Sequence, residues 1–275
     1  MENTVSGVDF PLCAQCGVQY PSPRSTCFIC DEERQYVRWD GQLWTSLREL
    51  HAGEHRPRIE PEGDRVIGVG VEPRFAIGQR ALLVRADGGN VLWDCVPYLD
   101  DEMIERISDL GGLTAIAISH PHYYSAIVDW AQTFDVPVYL HAADRQWAPR
   151  VDDHVVFWEG TSREIADGLT LVNLGVHFAG GSVLHWRDGE GGRGALLTGD
   201  IVQVVEDRRW VSFMYSYPNL IPERPEVVRE AVRRLEPLAF ERLYGAWWRK
   251  VVDSDAKQAV HRSAERYLRF IRSGD

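Results

Sequence analysis

Four of the five cysteines stand in two Cys-x-x-Cys pairs, Cys13-Ala-Gln-Cys16 and Cys27-Phe-Ile-Cys30, with ten residues between them. A Cys-x-x-Cys turn can aim two thiolates at one ion, and two such turns complete a tetrahedron of soft sulfur ligands. Zn²⁺ suits that closed set, and iron held by four thiolates would use the same ligands. Gly17 follows the first pair, where the chain must turn sharply and a positive φ is favoured. Neither pair opens a helix after a strand, so a thioredoxin-like redox pair is disfavoured.

A second group of ligand types lies in the body. An apolar run from Ala115 ends in Ser119-His120-Pro121-His122-Tyr123-Tyr124-Ser125. Two histidines one residue apart can reach the same ion if the chain turns between them, and Pro121 would fix such a turn. Further on, Gly175-Val-His177-Phe-Ala-Gly180-Gly181-Ser182 offers a third imidazole in a glycine-rich loop, and Leu196-Leu-Thr198-Gly199-Asp200 ends a strand in a carboxylate. Three imidazoles and a carboxylate suit a single Zn²⁺ that keeps one position for water or substrate. Two histidines and a carboxylate are also the ligand type of non-haem iron sites, and a metal-free cluster of hydrogen-bonded histidines is the plainest alternative. His141, His185 and His261 read as loop, strand and surface residues, and Cys95 as a small buried hydrophobe.

His-x-His after a strand, a later His in a Gly/Ser loop, Thr-Gly-Asp, and an earlier strand ending in Leu92-Trp-Asp94 together resemble the metallo-β-lactamase superfamily from residue 65 to about 250. The resemblance implies an αββα sandwich and metal-assisted hydrolysis. It also has gaps. The family motif is His-x-His-x-Asp-His, and Tyr124 and Ser125 replace its Asp and second-metal His. The family's final His is missing near Tyr244-Gly-Ala-Trp247-Trp248. The resemblance therefore implies one ion, Zn²⁺ or Fe²⁺, held by His120, His122, His177 and Asp200, with Tyr124, Ser125 and residues 246–247 filling the place of the second. Asp200 would orient a metal-bound water, and Tyr124 would donate a hydrogen bond to the oxyanion.

These groups need elements to hold them. Residues 66–71, 81–85 and 90–94 read as strands, the last two joined by a hairpin at Ala86-Asp87-Gly88-Gly89. Residues 100–110 and 126–134 carry helical periodicity, and strands are expected at 113–118 and 136–140. The order then repeats, with strands at 169–174, 182–186, 195–198 and 242–244 and helices at 225–235 and 255–271. Residues 40–64 are polar, and Pro57, Pro61 and Gly63 mark loops. Two successive blocks of strands and helices fit an α/β sandwich with helices outside two sheets. A zinc ribbon at 1–35 and a hydrolase-like domain at 36–275 are the expected division. Loss of Cys27 should then loosen residues 1–35 without unfolding the body. The ribbon is expected to be a structural cap, with a protein partner as its alternative role.

The aromatic residues Tyr123, Tyr124, Trp210, Phe213, Tyr215, Tyr217, Tyr244, Trp247 and Trp248 are expected to gather at the mouth of the fold and favour an apolar small molecule. A formal charge of -11 and a pI near 5.3 argue against wrapping nucleic acid, which calls for a basic face. No run approaches the length of a membrane span, and the N-terminal residues lack the basic-then-apolar pattern of a signal peptide, so a cytoplasmic protein is expected. The expected function is single-metal hydrolysis of a small-molecule ester, thioester or lactone. The alternatives are an iron dioxygenase of the same fold and a binding or scaffold protein without catalysis.

Overall fold

Side-chain alternation along the strands decides the layering. In the strand Ala81–Ala86, Leu82 and Val84 face one way with Val91, Trp93, Ala115 and Ala117, whereas Ala81, Leu83, Leu92 and Ile116 face the other. The computed structural model describes residues 7–271, and these strands form its first sheet. In order across it, the sheet runs Arg56–Pro61, Val66–Glu72, Ala81–Ala86, Gly89–Trp93, Ala115–Ala117, Val138–His141 and Val155–Trp158. The first four pair antiparallel and the last three join parallel.

The second sheet runs Ser162–Ala166, Leu169–Asn173, Ser182–Trp186, Ala195–Gly199, Arg242–Gly245 and Val251–Val252. Its strands alternate in the same manner. Leu184, Ala195 and Leu197 meet the first sheet's inner face, while Val183 and Leu196 pack outward against the helices Pro225–Leu235 and Ala256–Ile271. On the far side, Asp101–Asp109 and Ile127–Phe134 cover the first sheet with Met103, Ile107, Val128 and Trp130. The result is the expected αββα sandwich, with one apolar layer between the sheets and one under each helical face. Among the described residues no helix is long and apolar enough to cross a membrane.

Parallel pairing brings strand ends to one edge. Asp94 follows Gly89–Trp93, and Ser119 and His120 follow the neighbouring Ala115–Ala117. Asp200 leaves the second sheet opposite them. Gly199 makes that meeting close: its φ is +54°, and a Cβ there would lie 2.7 Å from Ser119 Oγ and 2.9 Å from Asp94 Oδ2.

Three elements differ from the expectation. Residues 56–61 are a strand rather than loop, and Pro57 and Pro61 are tolerated because this strand is the sheet's edge. Val155–Trp158 is a four-residue apolar run and Ser162–Ala166 is mostly polar, so neither edge strand shows the alternation of a longer strand. The boundary at residue 35 also moves. Leu12–Cys13 pairs with Trp44–Thr45, and Trp44 meets Tyr20 edge-on at 5.1 Å, so the ribbon closes only after residue 44. Its four cysteines share one apolar cluster with Val69, Leu83, Leu92 and Ile116 of the first sheet. The ribbon is thus built into the outer layer of the body.

Candidate metal centres

In the ribbon, Cys13 Sγ lies 3.7 Å from Cys30 Sγ, and Cys16 Sγ lies 3.6 Å from Cys27 Sγ. A disulfide would need about 2.05 Å. Four sulfurs at about 2.3 Å from one Zn²⁺ would stand about 3.8 Å apart, which is close to the spacing here. All four ligand atoms lie within 4.8 Å of one another. The surroundings suit thiolates: the Tyr20 hydroxyl is 3.1 Å from Cys27 Sγ, and Gln42 Nε2 donates to Cys13 Sγ at 3.3 Å. Gly17 takes the expected positive φ, +81°, and a Cβ there would meet Pro97 at 2.6 Å.

The second cluster forms at the edge where the strand ends meet. His120, His122 and His177 offer nitrogens within 4.8 Å of one another, all buried. Asp200 joins them, with Oδ1 at 3.3 Å from His120 Nε2. Burial drives all three imidazoles toward the neutral form, with His177 lowered to about 4. Neutral imidazole is the form that binds metal.

The ring orientations are set from outside the cluster. His177 Nδ1 donates to Tyr215 O at 2.7 Å, which leaves its Nε2 as a lone pair 3.1 Å from His122 Nδ1. Two nitrogens at about 2.0–2.1 Å from one tetrahedral ion would be separated by about 3.4 Å. His120 Nδ1 sits 2.9 Å from Ser119 Oγ, and Ser119 N donates to Asp94 Oδ1 at 2.8 Å. His120 Nε2 and Asp200 Oδ1 are buried without a hydrogen-bond partner. Buried polar atoms of this kind are rare unless something else satisfies them, and a cation between them would do so. The donor set therefore fits a metal ion. Burial pushes the Asp200 carboxyl up to about 7, and an ion beside it would restore the carboxylate.

This arrangement has a family. A family model described as the metallo-β-lactamase superfamily matches residues 76–247. The chain belongs to the metallo-β-lactamase superfamily. Uncharacterized protein YmaE of Bacillus subtilis (strain 168) is 48% identical to it over 266 residues, covering 95% of this chain and 97% of that protein. Solved structures of the superfamily share its fold at low identity. TMB-1 is 14% identical with a TM-score of 0.56, over 76% of this chain and 97% of its own. FIM-1 from Pseudomonas aeruginosa, solved in a mono-zinc form, is 14% identical with a TM-score of 0.56, over 77% of this chain and 96% of its own.

The superfamily motif is where the chain departs, and the two tyrosines exchange the expected parts. Tyr123 packs against His120, ring centres 4.4 Å apart, and burial and the neighbouring Asp200 charge both oppose ionisation of its phenol. Tyr124 instead lines a small cavity on the ribbon side with Val18, Gln19 and Arg150, and it feels Asp144 rather than Asp200. A one-residue step in the short 3₁₀ turn Pro121–Tyr123 rotates the side chain by about a third of a circle, which separates the neighbours. Tyr124 is therefore not the phenol of the metal cluster. Ser125 is drawn away as well, with its Oγ 3.3 Å from both Cys95 O and Gln79 Nε2. Ala246 O is taken by Arg80 N at 2.9 Å.

The expected aromatic mouth is largely dispersed. Phe213 is core, Tyr244 lies between the sheets, Trp210 stacks under Arg266, and Trp248 packs on Gly68 and Gly70. Tyr217 does reach the cluster, donating its hydroxyl to Asp200 O. His141 stays out, capping Ala143 N and facing Gly160 O. The ring that sequence reading missed is Phe178, 4.9 Å from His122 and 5.0 Å from His177. It directly follows His177, and adjacency to a ligand was its one sequence signal.

Ser119→Ala tests the outer support. Losing the Oγ partner of His120 Nδ1 is expected to weaken metal binding at the cluster by about 10–100-fold, leaving the ribbon's ion untouched. Competition against a calibrated chelator measures this directly.

Proposed function

We propose that the chain is a metal-dependent hydrolase with one ion at His120, His122, His177 and Asp200, cleaving a small-molecule ester, thioester or lactone. The observation that carries this reading is the convergence of three neutral imidazoles and an orphaned carboxylate beside a turn whose Tyr124 and Ser125 are directed elsewhere. The mono-zinc form of FIM-1 supports single-ion occupancy of such a fold. Zn²⁺ is the ion proposed for the ribbon, and Zn²⁺ or Fe²⁺ for the cluster. A reducing cytoplasm suits four cysteines that ligate rather than cross-link.

Bound there, the ion would lower the pKa of a water and polarise a carbonyl. The chain supplies the rest. Asp200, held as a carboxylate beside the ion, would accept a proton from the attacking water and can return it to the leaving group. Tyr123, whose hydroxyl is buried without a partner, takes the donor role that the motif placed on Tyr124. Phe178 and Tyr217 wall the cluster and limit water around it.

Asp200→Asn is expected to lower kcat by about a hundredfold or more on an activated ester such as 4-nitrophenyl acetate. Initial rates should be read beside metal content, so that a lost ion is not mistaken for a lost proton acceptor. No turnover across esters, thioesters and lactones by the fully metallated wild type would overturn the reading. Oxygen uptake by an iron-loaded protein would point to the dioxygenase instead.

A further inference from the structure

The ribbon reaches the metal cluster. After Cys30 the chain runs as residues 32–35 over the segment 215–219 and is fastened to it. Ser216 Oγ donates to Arg34 O at 3.0 Å, and Asn219 Nδ2 donates to Glu33 O at 2.9 Å and Gln35 O at 3.1 Å. Tyr215 donates its hydroxyl to Glu33. The Arg34 guanidinium lies 4.5 Å from the ring centre of Phe178 and 4.5 Å from that of Tyr215. Phe178 is the ring against His122 and His177, so one aromatic ring separates a fixed positive charge from the imidazoles.

Glu32 holds one end of that guanidinium through Nη1. The other edge is different: Arg34 Nε is buried and has no acceptor. A buried N–H is nearly always paired, and an unpaired one beside a reactive cluster is best explained by an acceptor from outside the chain. The guanidinium already sits over two rings and is held by Glu32, so little freedom remains to be lost on binding.

We infer that Arg34 is the anchor for a carboxylate on the substrate, so that the acyl group cleaved at the metal cluster carries a second, negatively charged end. The side-on edge of a guanidinium matches a carboxylate in shape and charge, and lysine would not reproduce it. This inference rests on the hydrolase reading for its reaction but not for its binding site. Arg34 is a specificity residue supplied by the ribbon, which gives the ribbon a part in substrate choice.

The test uses the metallated full-length protein and two pairs of probes. Calorimetric titration with succinate, read against acetate, reports binding without turnover. Arg34→Gln is expected to weaken succinate about 10–100-fold, and Arg34→Lys should recover only part. In kinetics, the ratio of kcat/KM for 4-nitrophenyl hemisuccinate over 4-nitrophenyl acetate should fall by the same factor, mainly through KM. Asn219→Ala, which loosens the fastening but keeps the guanidinium, should move that ratio much less. Equal losses on both esters, equal effects of Asn219→Ala and Arg34→Gln on the ratio, or no preference for succinate over acetate in the wild type would overturn the inference. If neither ester is cleaved, the succinate titration still decides the role of Arg34, and the hydrolase reading is decided by the wider panel of esters, thioesters and lactones.

Discussion

Purified His122→Ala protein is expected to carry one metal ion per chain where the wild type carries two, with the ribbon's ion being the one that remains. His122 Nδ1 faces His177 Nε2 at 3.1 Å, and His120 Nε2 completes the triangle toward Asp200. Removing one of three buried imidazoles leaves two nitrogens and one carboxylate. The remaining set should bind several orders of magnitude more weakly, and turnover should fall with occupancy. Elemental analysis after gel filtration counts the ions. Two ions in both proteins would mean the cluster is not a metal site, and one ion in both would mean that the wild-type cluster is empty as isolated.

The second large effect concerns Cys27→Ala. A ribbon that stood alone would come loose and leave the body folded. The structure gives another outcome, because Cys13, Cys16, Cys27 and Cys30 lie in the same apolar cluster as Leu83, Leu92 and Ile116. A structural Zn²⁺ contributes about 10–16 kcal/mol of apparent binding free energy, whereas a whole domain is stable by only about 5–15 kcal/mol. Losing one of four thiolates is therefore expected to lower the melting transition of the entire protein, or to abolish soluble folded protein. Far-UV circular dichroism, which reports the sheets, would follow the same transition as the ribbon. An unchanged sheet transition, with only residues 7–45 exchanging their amides rapidly, would show that the ribbon is separable after all.

The sequence carried the ligands more fully than their setting. Cys-x-x-Cys and His-x-His are legible because ligand geometry constrains spacing along the chain, and the positions between ligands are free to vary. Strands such as Ala81–Ala86 are legible for the related reason that both faces are buried and β-branched or leucine residues fill them. Arg56–Pro61 was hidden by its place at the edge, where one face meets solvent and proline costs no ladder bond. Tyr123 and Tyr124 were exchanged because the motif alignment fixes positions along the chain, whereas the turn at Pro121–Tyr123 fixes directions in space. Arg34 was out of reach for a different reason. It lies far from His177 in sequence, and only the packing of the ribbon on the body brings it to Phe178. Composition changes at residue 35, whereas the pairing of Leu12–Cys13 with Trp44–Thr45 carries the ribbon's packing further along the chain.

The fastening of residues 32–35 also links the ribbon to a ligand of the cluster. Tyr215 is gripped on one side by the segment that leaves Cys30, and its carbonyl on the other side fixes the tautomer of His177. Occupancy of the ribbon can therefore change the free energy of loading the cluster, and by reciprocity loading the cluster changes the ribbon's affinity by the same factor. A ribbon of four thiolates would bind its ion tightly enough to stay loaded when the cluster is emptied, whereas emptying the ribbon should weaken the cluster.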